Sequence, residues 1–461
     1  MGASILVAAI SSAFGVLLIS ATGYIAAMLR ADPYIGQSGM LAFATGMLTV
    51  LLVGVAIYVA SIVTANTFST VVAGRTRRIA LLRLVGASAR SQRAEVARQG
   101  LIVGAIGAFL GLAGGTVVAA GGVWLAGRML ELGDVQFVLI QPVLVLPAVI
   151  VALTTWAAAW AGSRRVLSVT PLQALGGSVE ASHEEVAGRT GRNVGAIALF
   201  VVGAALLAGG IAVGLLSPVG VVVAFAGGIL SFTGLALGST LVMPPVLRLV
   251  GRVFGGSATA RLAAENALRY PERSSRMAIG VVMGVTLVTM FAVAMESVKA
   301  VLTAAGGGSL PAEIGAVLDS FAAIMMGLVA VSAVIAGVGL VNLLTIGVVQ
   351  RRRELGLLRA LGVSNGQVRG MVLLEAAHVT IAALAAGLLL GVVYGWAGAQ
   401  SLLGSIPVNP EDGWAWSLVW PAVPIWPVIV VIAATTVLTL VAAVVPTRLA
   451  TRVAPVEALA E

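Results

Sequence analysis

The segment Arg353-Glu354-Leu355-Gly356-Leu357-Leu358-Arg359-Ala360-Leu361-Gly362-Val363-Ser364 has a counterpart in the first half of the chain, Arg77-Arg78-Ile79-Ala80-Leu81-Leu82-Arg83-Leu84-Val85-Gly86-Ala87-Ser88. Leu81, Leu82, Arg83, Gly86 and Ser88 align with Leu357, Leu358, Arg359, Gly362 and Ser364. The match runs on at the same offset into the next apolar stretch, where Gly111 and Gly115 align with Gly387 and Gly391. A second echo closes each copy, Val169-Thr-Pro171-Leu-Gln-Ala-Leu175 against Val453-Ala-Pro455-Val-Glu-Ala-Leu459. In each copy a basic helix is predicted to stop at the glycine, which can take the left-handed conformation of a helix C-terminus. The serine then caps the following helix. Ser364-Asn-Gly-Gln367 has the spacing of a capping box, which Ser88-Ala-Arg-Ser91 lacks. Each copy is thus a helix–turn–helix knuckle with arginines and leucines on its surface.

Outward from the knuckles the chain is apolar. Hydrophobic residues make up 59% and charged residues 10% of the 461, with a mean hydropathy of +1.08, too little polar surface for a soluble domain. Apolar runs lie at 3–29, 41–66, 100–123, 138–162, 195–216, 219–243, 277–298, 319–348, 372–398 and 425–446, each long enough to cross a bilayer as a helix. The first lacks a basic leading region and is too long for the core of a signal peptide, so it reads as a retained span. The fold class expected is an all-α integral membrane protein of about ten transmembrane helices. Two parallel four-helix repeats, 1–176 and 261–461, flank a linker and tight two-helix hairpin at 177–260, a 4+2+4 plan.

Charge sets the orientation. With both termini cytoplasmic, 24 of the 27 basic residues fall in the inner segments, leaving Arg30, Arg128 and Lys299 outside. The net charge of +9 therefore sorts by membrane side, and no aromatic-interleaved basic domain suggests nucleic acid as a partner. Lysine occurs once against 26 arginines, a bias expected of a GC-rich bacterial genome. Lys299 follows Met-Glu-Ser-Val rather than a glycine-rich loop, so the chain carries no phosphate-binding loop for ATP. The absence of cysteine excludes disulfides and thiolate metal sites, and two histidines, His183 and His378, make a histidine-rich metal site unexpected. No nucleophile is paired with a base and no carboxylates have metal-ligand spacing, so neither catalytic nor metal-binding residues are expected.

Other features have structural readings. Gly107, Gly111 and Gly115, and Gly387, Gly391 and Gly395, form small-residue stripes that let helices approach closely in lipid. They are expected to pack at an interface between the two repeats. Glu95, Arg98 and Glu375 sit at inner span ends, Asn342 and His378 are expected to bond between helices, and Glu296 can pair with Lys299 at i,i+3. Trp414, Trp416, Trp420 and Trp426 read as an aromatic belt, or alternatively as a lipid-facing lip for an amphipathic cargo.

Arg352 to Ser364, following Val341-Asn342-Leu-Leu-Thr, resembles the signature of FtsX-like (MacB-type, type VII) ABC transporter permeases. Ala264-Glu-Asn266-Ala-Leu-Arg269-Tyr-Pro271-Glu-Arg273-Ser resembles the amphipathic segment that precedes a repeat in that family. The resemblance spans both repeats and is less specific in the first, where Arg78 stands opposite Glu354. It implies that Leu81, Leu82, Arg83, Gly86 and Ser88, and Leu357, Leu358, Arg359, Gly362 and Ser364, form coupling helices that dock on separate ATPase subunits. ATP and Mg would be bound by those subunits, with no cofactor in this chain.

The ten-span plan is similar to the bacitracin-export (BceB-like) branch, in which one permease chain binds two ATPase chains. That branch has a large outside domain between the seventh and eighth spans, where this chain has only the short segment 299–318. The resemblance implies a cell-membrane permease driven by two copies of a separate ATPase. It would expel a hydrophobic or amphipathic compound, antimicrobial or lipid-like, from the outer leaflet by mechanotransmission. Two alternatives stay open at this point. A device signalling to an extracytoplasmic enzyme such as a cell-wall hydrolase would need an outside docking surface. A secondary transporter would show inverted repeats or mid-membrane charge pairs.

Overall fold

A computed structural model of the chain describes residues 2–31, 81–82, 84–129, 137–168, 190–253, 258–269, 271–309, 356–357, 359–407 and 416–452, and parts of 46–65 and 315–322. Among these residues the structure is all-helical. The chain divides into two compact units, Met1–Val179 and Glu180–Glu461. Eight helices are long and apolar enough to cross a membrane, and they coincide with the first, third to seventh, ninth and tenth expected spans. The second expected span contains a shorter apolar helix, Thr49–Ile62, and nearly all of the eighth lies outside the described residues.

The first unit contains α1 (Gly2–Ala31), α2 (Thr49–Ile62), α3 (Ala89–Met129) and α4 (Val145–Ser168). In lipid every backbone donor and acceptor must be satisfied within the protein, which a helix does by itself. What holds such helices together is close packing and a few polar bonds rather than apolar transfer from water. The α1–α3 seam shows both. A Cβ placed on Gly107 would stand 2.5 Å from the Cβ of Ala8, and one on Gly111 would stand 2.6 Å from the Cβ of Ser12. On Gly115 it would stand 3.0 Å from the Cα of Ala13. The seam is sealed by the Ser12 hydroxyl, which donates to the carbonyl of Ala108 at 3.0 Å. Residue numbers ascend together on both helices, so α1 and α3 run parallel. The buried cluster of Ala8, Ala60, Ala108, Ala148 and Val151 ties all four helices together, with α4 antiparallel to α3.

The second unit begins with a hairpin of α5 (Thr190–Gly214) and α6 (Gly220–Leu237). Gly203 faces Gly227 and Gly210 faces Gly220, while Gly234 lies against Ala196 and Phe200, and at each of these steps the two backbones come into direct contact. A Cβ on Gly203 would lie 2.6 Å from the Cα of Ser231. Two shorter helices follow, α7 (Ser239–Val253) and the amphipathic α8 (Ala258–Arg269), and then the long α9 (Pro271–Ala305), α10 (Asn365–Leu403) and α11 (Ile425–Arg452).

The α9–α10 seam repeats the α1–α3 seam step for step. Gly387 faces Val282 and Val285, Gly391 faces Thr286 and Thr289, and Gly395 faces Met290 and Val293. Thr286 donates to the carbonyl of Gly387 at 3.3 Å, as Ser12 does to Ala108. The two helices are again parallel, so α9 ends at the far end of the unit from where α10 starts. The hairpin packs on α10, with the hydroxyls of Ser231 and Tyr394 2.9 Å apart and Gly214 against the backbone of Ser401.

These seams correct one expectation. The two glycine stripes seat the first helix of their own repeat, α1 for Gly107, Gly111 and Gly115 and α9 for Gly387, Gly391 and Gly395, rather than an interface between repeats. The reason is geometric: a missing Cβ helps only on the face it points from, and that face is filled inside the repeat. Lys299 is also corrected: its ammonium is bound by the carboxylate of Asp319, not by Glu296.

Candidate functional site: two surface knuckles

The turn at the start of α3 and the turn at the start of α10 have the same construction. Gly86 has φ +103° and Gly362 φ +100°, a region open to glycine and costly for residues with a Cβ. In the first copy the Ala87 N–H returns to the Leu82 carbonyl at 2.9 Å, and in the second the Gly362 N–H returns to Arg359 at 3.1 Å. These are two bonds of one helix-ending cap, and they satisfy carbonyls that would otherwise be orphaned.

The serine caps follow. Ser88 Oγ accepts from the N–H of Ser91 at 3.1 Å. Ser364 Oγ accepts from Gln367 N–H at 3.2 Å while Gln367 Oε1 accepts from the Ser364 N–H at 2.9 Å, a complete capping box. The box is worth about 0.5–2 kcal/mol. The spacing difference between the two copies is therefore real in the structure.

The described leucines of both knuckles point out. Leu81 is 46% exposed, Leu357 51% and Leu361 75%, with Leu82, Leu84 and Val85 also exposed. Gly356 is buried, so the helix leading into the second knuckle has one covered and one open side. Arg83 and Leu358 lie outside the described residues, as do Asn342, Trp414 and both closing echoes.

What lies beneath the knuckles differs, and sequence reasoning did not find it. In the first unit the Arg93 guanidinium lies 4.1 Å over the ring of Trp160, joining the base of α3 to α4. A cation over an indole face is favourable, and the more so where water is excluded. Close by, Glu95 and Arg98 form an ion pair at 2.8 Å. In the second unit α8 lies along the base of α10, with Ala263 packed among Val368, Met371 and Val372. Asn266 Nδ2 donates to the buried carboxylate of Glu375 at 3.0 Å. One turn further, His378 Nε2 donates to the Leu247 carbonyl of α7 at 2.7 Å. Arg93 and Trp160, like Asn266 and Glu375, lie on different helices far apart along the chain, and nothing local in the sequence links them.

Behind α8, Arg192 at the start of α5 reaches Glu272 at 3.3 Å and the Thr240 hydroxyl at 2.9 Å, tying hairpin, α7 and α9 at the knuckle end. Among the described residues no group of three or more His, Asp or Glu side chains converges as metal ligands would.

Fold and site together define a class: a multi-pass helical membrane protein in which a parallel, glycine-sealed helix pair recurs, each copy carrying a basic, leucine-bearing turn. The FtsX-like permease C-terminal family model matches residues 50–171 and 326–455, more than half of the chain. The chain belongs to the FtsX-like permease family. Its two matched stretches start at positions 50 and 326, the same offset that separates Gly86 from Gly362, and each contains one knuckle.

Two relatives align in part. An uncharacterized ABC transporter permease, YknZ of Bacillus subtilis (strain 168), is 28% identical over 114 residues, 25% of this chain and 26% of YknZ. The macrolide export ATP-binding/permease protein MacB of Rhodopirellula baltica is 27% identical over 146 residues, 32% of this chain and 19% of that protein. The chain thus spans about a quarter of one relative and about a fifth of the other.

Proposed function

We propose that this chain is the membrane subunit of an ABC transporter, driven by two copies of a separate ATPase, one on each knuckle. The observation that carries the reading is the duplicated knuckle. Two equal turns, each presenting uncovered leucines at the start of a long spanning helix, suit two equal partner surfaces. The basic residues that collect in the knuckle segments favour placing both docking sites, and both termini, on the cytoplasmic side of the cell membrane. ATP and Mg belong to the partner subunits. The names of the two partial relatives, an ABC transporter permease and a macrolide export ATP-binding/permease protein, agree with this class.

Closure of the ATPases would swing the knuckles and, through them, α3 and α10. The cargo we favour is a hydrophobic or amphipathic compound, antimicrobial or lipid-like, expelled from the outer leaflet by that motion. The test is recovery of the tagged chain from its native membrane in mild detergent. Co-purification of an ATPase at two copies per chain, with vanadate-sensitive turnover, is the expected result. Elution without an ATPase would overturn the reading.

A further inference from the structure

α10 starts at the second knuckle and ends, 39 residues later, under a strap of extended chain that leads into α11. The strap, Trp416 to Pro424, contains no charged residue. It is fixed by side chains of the two sealed helices. Gln400, fully buried on α10, holds it with both ends of its amide: Nε2 donates to the Ser417 carbonyl at 2.9 Å and Oε1 accepts from the Val419 N–H at 2.6 Å. Trp396 Nε1 donates to the Val419 carbonyl at 2.6 Å. Ser297 of α9, also fully buried, accepts from the Ala422 N–H at 3.1 Å. Ser417 spends its own groups internally, on the carbonyls of Gly404 and Ile406. Val419 turns in against Val301 and Leu403. The strap is therefore pinned to the helices beneath it at Ser417, Val419 and Ala422.

Its other face is open and apolar. Leu418 and Val423 are exposed, Trp420 is 78% and Trp426 77% exposed, and Ile425 stands beside them. Leu403 and Ile425 are the adjoining ends of two helices long and apolar enough to cross a membrane, so the strap joins two spans at one end. Water and hydrocarbon meet where spans end, and a tryptophan has an apolar ring with one N–H to place there.

We propose that this strap is a membrane-interface anchor. Its tryptophans seat at the boundary between headgroups and acyl chains, and the Gln400 amide clamps it to the far end of the knuckle's own helix. The partner is the lipid surface itself. α10 then has one end at the docking knuckle and the other fixed to a membrane-seated strap, so displacement of the knuckle is delivered to lipid at the strap. The anchor and its clamp rest only on the chain's being a membrane protein, and they stand or fall independently of the ATPase reading.

The chain lacks cysteine, so a single introduced thiol reports one position. The full chain carrying Leu418→Cys, and separately Trp420→Cys, is spin-labelled and reconstituted in vesicles of phosphatidylcholine and phosphatidylglycerol. Collision with dissolved oxygen and with a water-soluble nickel chelate then measures depth. Ser91→Cys, on the exposed knuckle, serves as the aqueous reference, and Val430→Cys, on the exposed face of α11, as the lipid reference. The anchor requires both strap labels to be several-fold less accessible to nickel than Ser91 while remaining open to oxygen. Nickel access equal to Ser91 overturns it, and so does shielding from both probes, which would mean that protein covers the strap. Adding Gln400→Ala is expected to raise label mobility at least twofold. Trp396→Phe, which removes one hydrogen bond to the strap where Gln400→Ala removes two, is expected to raise it less. Unchanged mobility in both variants overturns the clamp.

Discussion

Replacing Gly362 by alanine isolates the backbone cost of the second knuckle. Gly362 has φ +100°, and a Cβ built on it meets nothing within 4 Å, so no steric clash contributes. Holding a residue with a Cβ in the left-handed region costs about 1–2 kcal/mol. That cost weakens the closed turn relative to the frayed one by about 5- to 30-fold. The first amides to report it are those of Leu361 and Gly362, which bond to Leu357 at 3.0 Å and to Arg359 at 3.1 Å. Hydrogen exchange read by mass spectrometry should show their protection falling by a similar factor, while amides in the α9–α10 seam keep theirs, because the opening is local. If docking needs the closed turn, affinity for the ATPase drops by no more than the same factor. Gly362→Asn should lose less, since asparagine tolerates positive φ better. Exchange at 361–362 equal to the unaltered protein would refute the claim that the glycine is what sets the turn.

Further outcomes follow from the same geometry. Gly391→Ala should lower the thermal midpoint in detergent, since its Cβ would stand 2.5 Å from that of Thr289 and overpacking costs about 1–3 kcal/mol; Gly398→Ala, on the same helix with nothing within 4 Å, should leave it unchanged or raise it. Leu81→Ser with Leu357→Ser should reduce ATPase recovery in the pull-down at least tenfold without lowering the midpoint, because both side chains already face out; a shared fall in stability would count against them as docking residues. Arg83→Glu with Arg359→Glu should weaken ATPase binding and leave membrane insertion intact, and normal complex recovery would argue against docking at the knuckles. Asn266→Leu should destabilise the base of α10 by about 1–3 kcal/mol, since it strips a hydrogen bond from the buried Glu375 carboxylate, and Asn266→Leu with Glu375→Leu should recover part of the loss.

What could be read from the sequence was whatever is encoded within a few residues or by repetition. Length and apolarity placed ten spans, eight of which are span-length helices among the described residues, and the Gly-x-Ser pattern placed two turns whose glycines do take positive φ. The capping box at Ser364 and its absence at Ser88 followed from a single position, Gln367 against Ser91. The partners of the glycine stripes were not readable, because a stripe says that something comes close without saying what. The hairpin glycines at 203 and 210, and at 220, 227 and 234, are visible in the sequence, but their spacing alone does not say what each one faces. Arg93 on Trp160 and Asn266 on Glu375 depend on helices meeting in three dimensions. Gln400 could not be distinguished from any other polar residue near a helix end until its two amide atoms were seen to span one stretch of extended chain.

The shape of α10 bears on how motion could travel through this protein. Its 39 residues extend about 58 Å at 1.5 Å per residue, well beyond the roughly 30 Å hydrocarbon core, and contain no proline at which a kink would absorb displacement. One flank is locked by glycine steps against α9, a contact with little freedom to slide because atoms already meet at van der Waals distance. At the knuckle end α8 adds the Asn266–Glu375 bond, and at the far end the strap adds the Gln400 clamp. Under the function proposed above, a displacement that passes the Gly362 turn is expected to move α9, α10 and the strap together. The first unit shares the sealed pair but ends differently. Beyond α3, the ring of Phe137 packs edge-on against Tyr24 of α1 at 5.5 Å, and Val138 and Ile140 are exposed where the second strap carries tryptophans. Equal inputs at the two knuckles would thus reach unequal ends, which predicts that Gln400→Ala uncouples transport from ATP turnover more severely than Phe137→Leu; equal effects would mean that the strap is not an output of the motion.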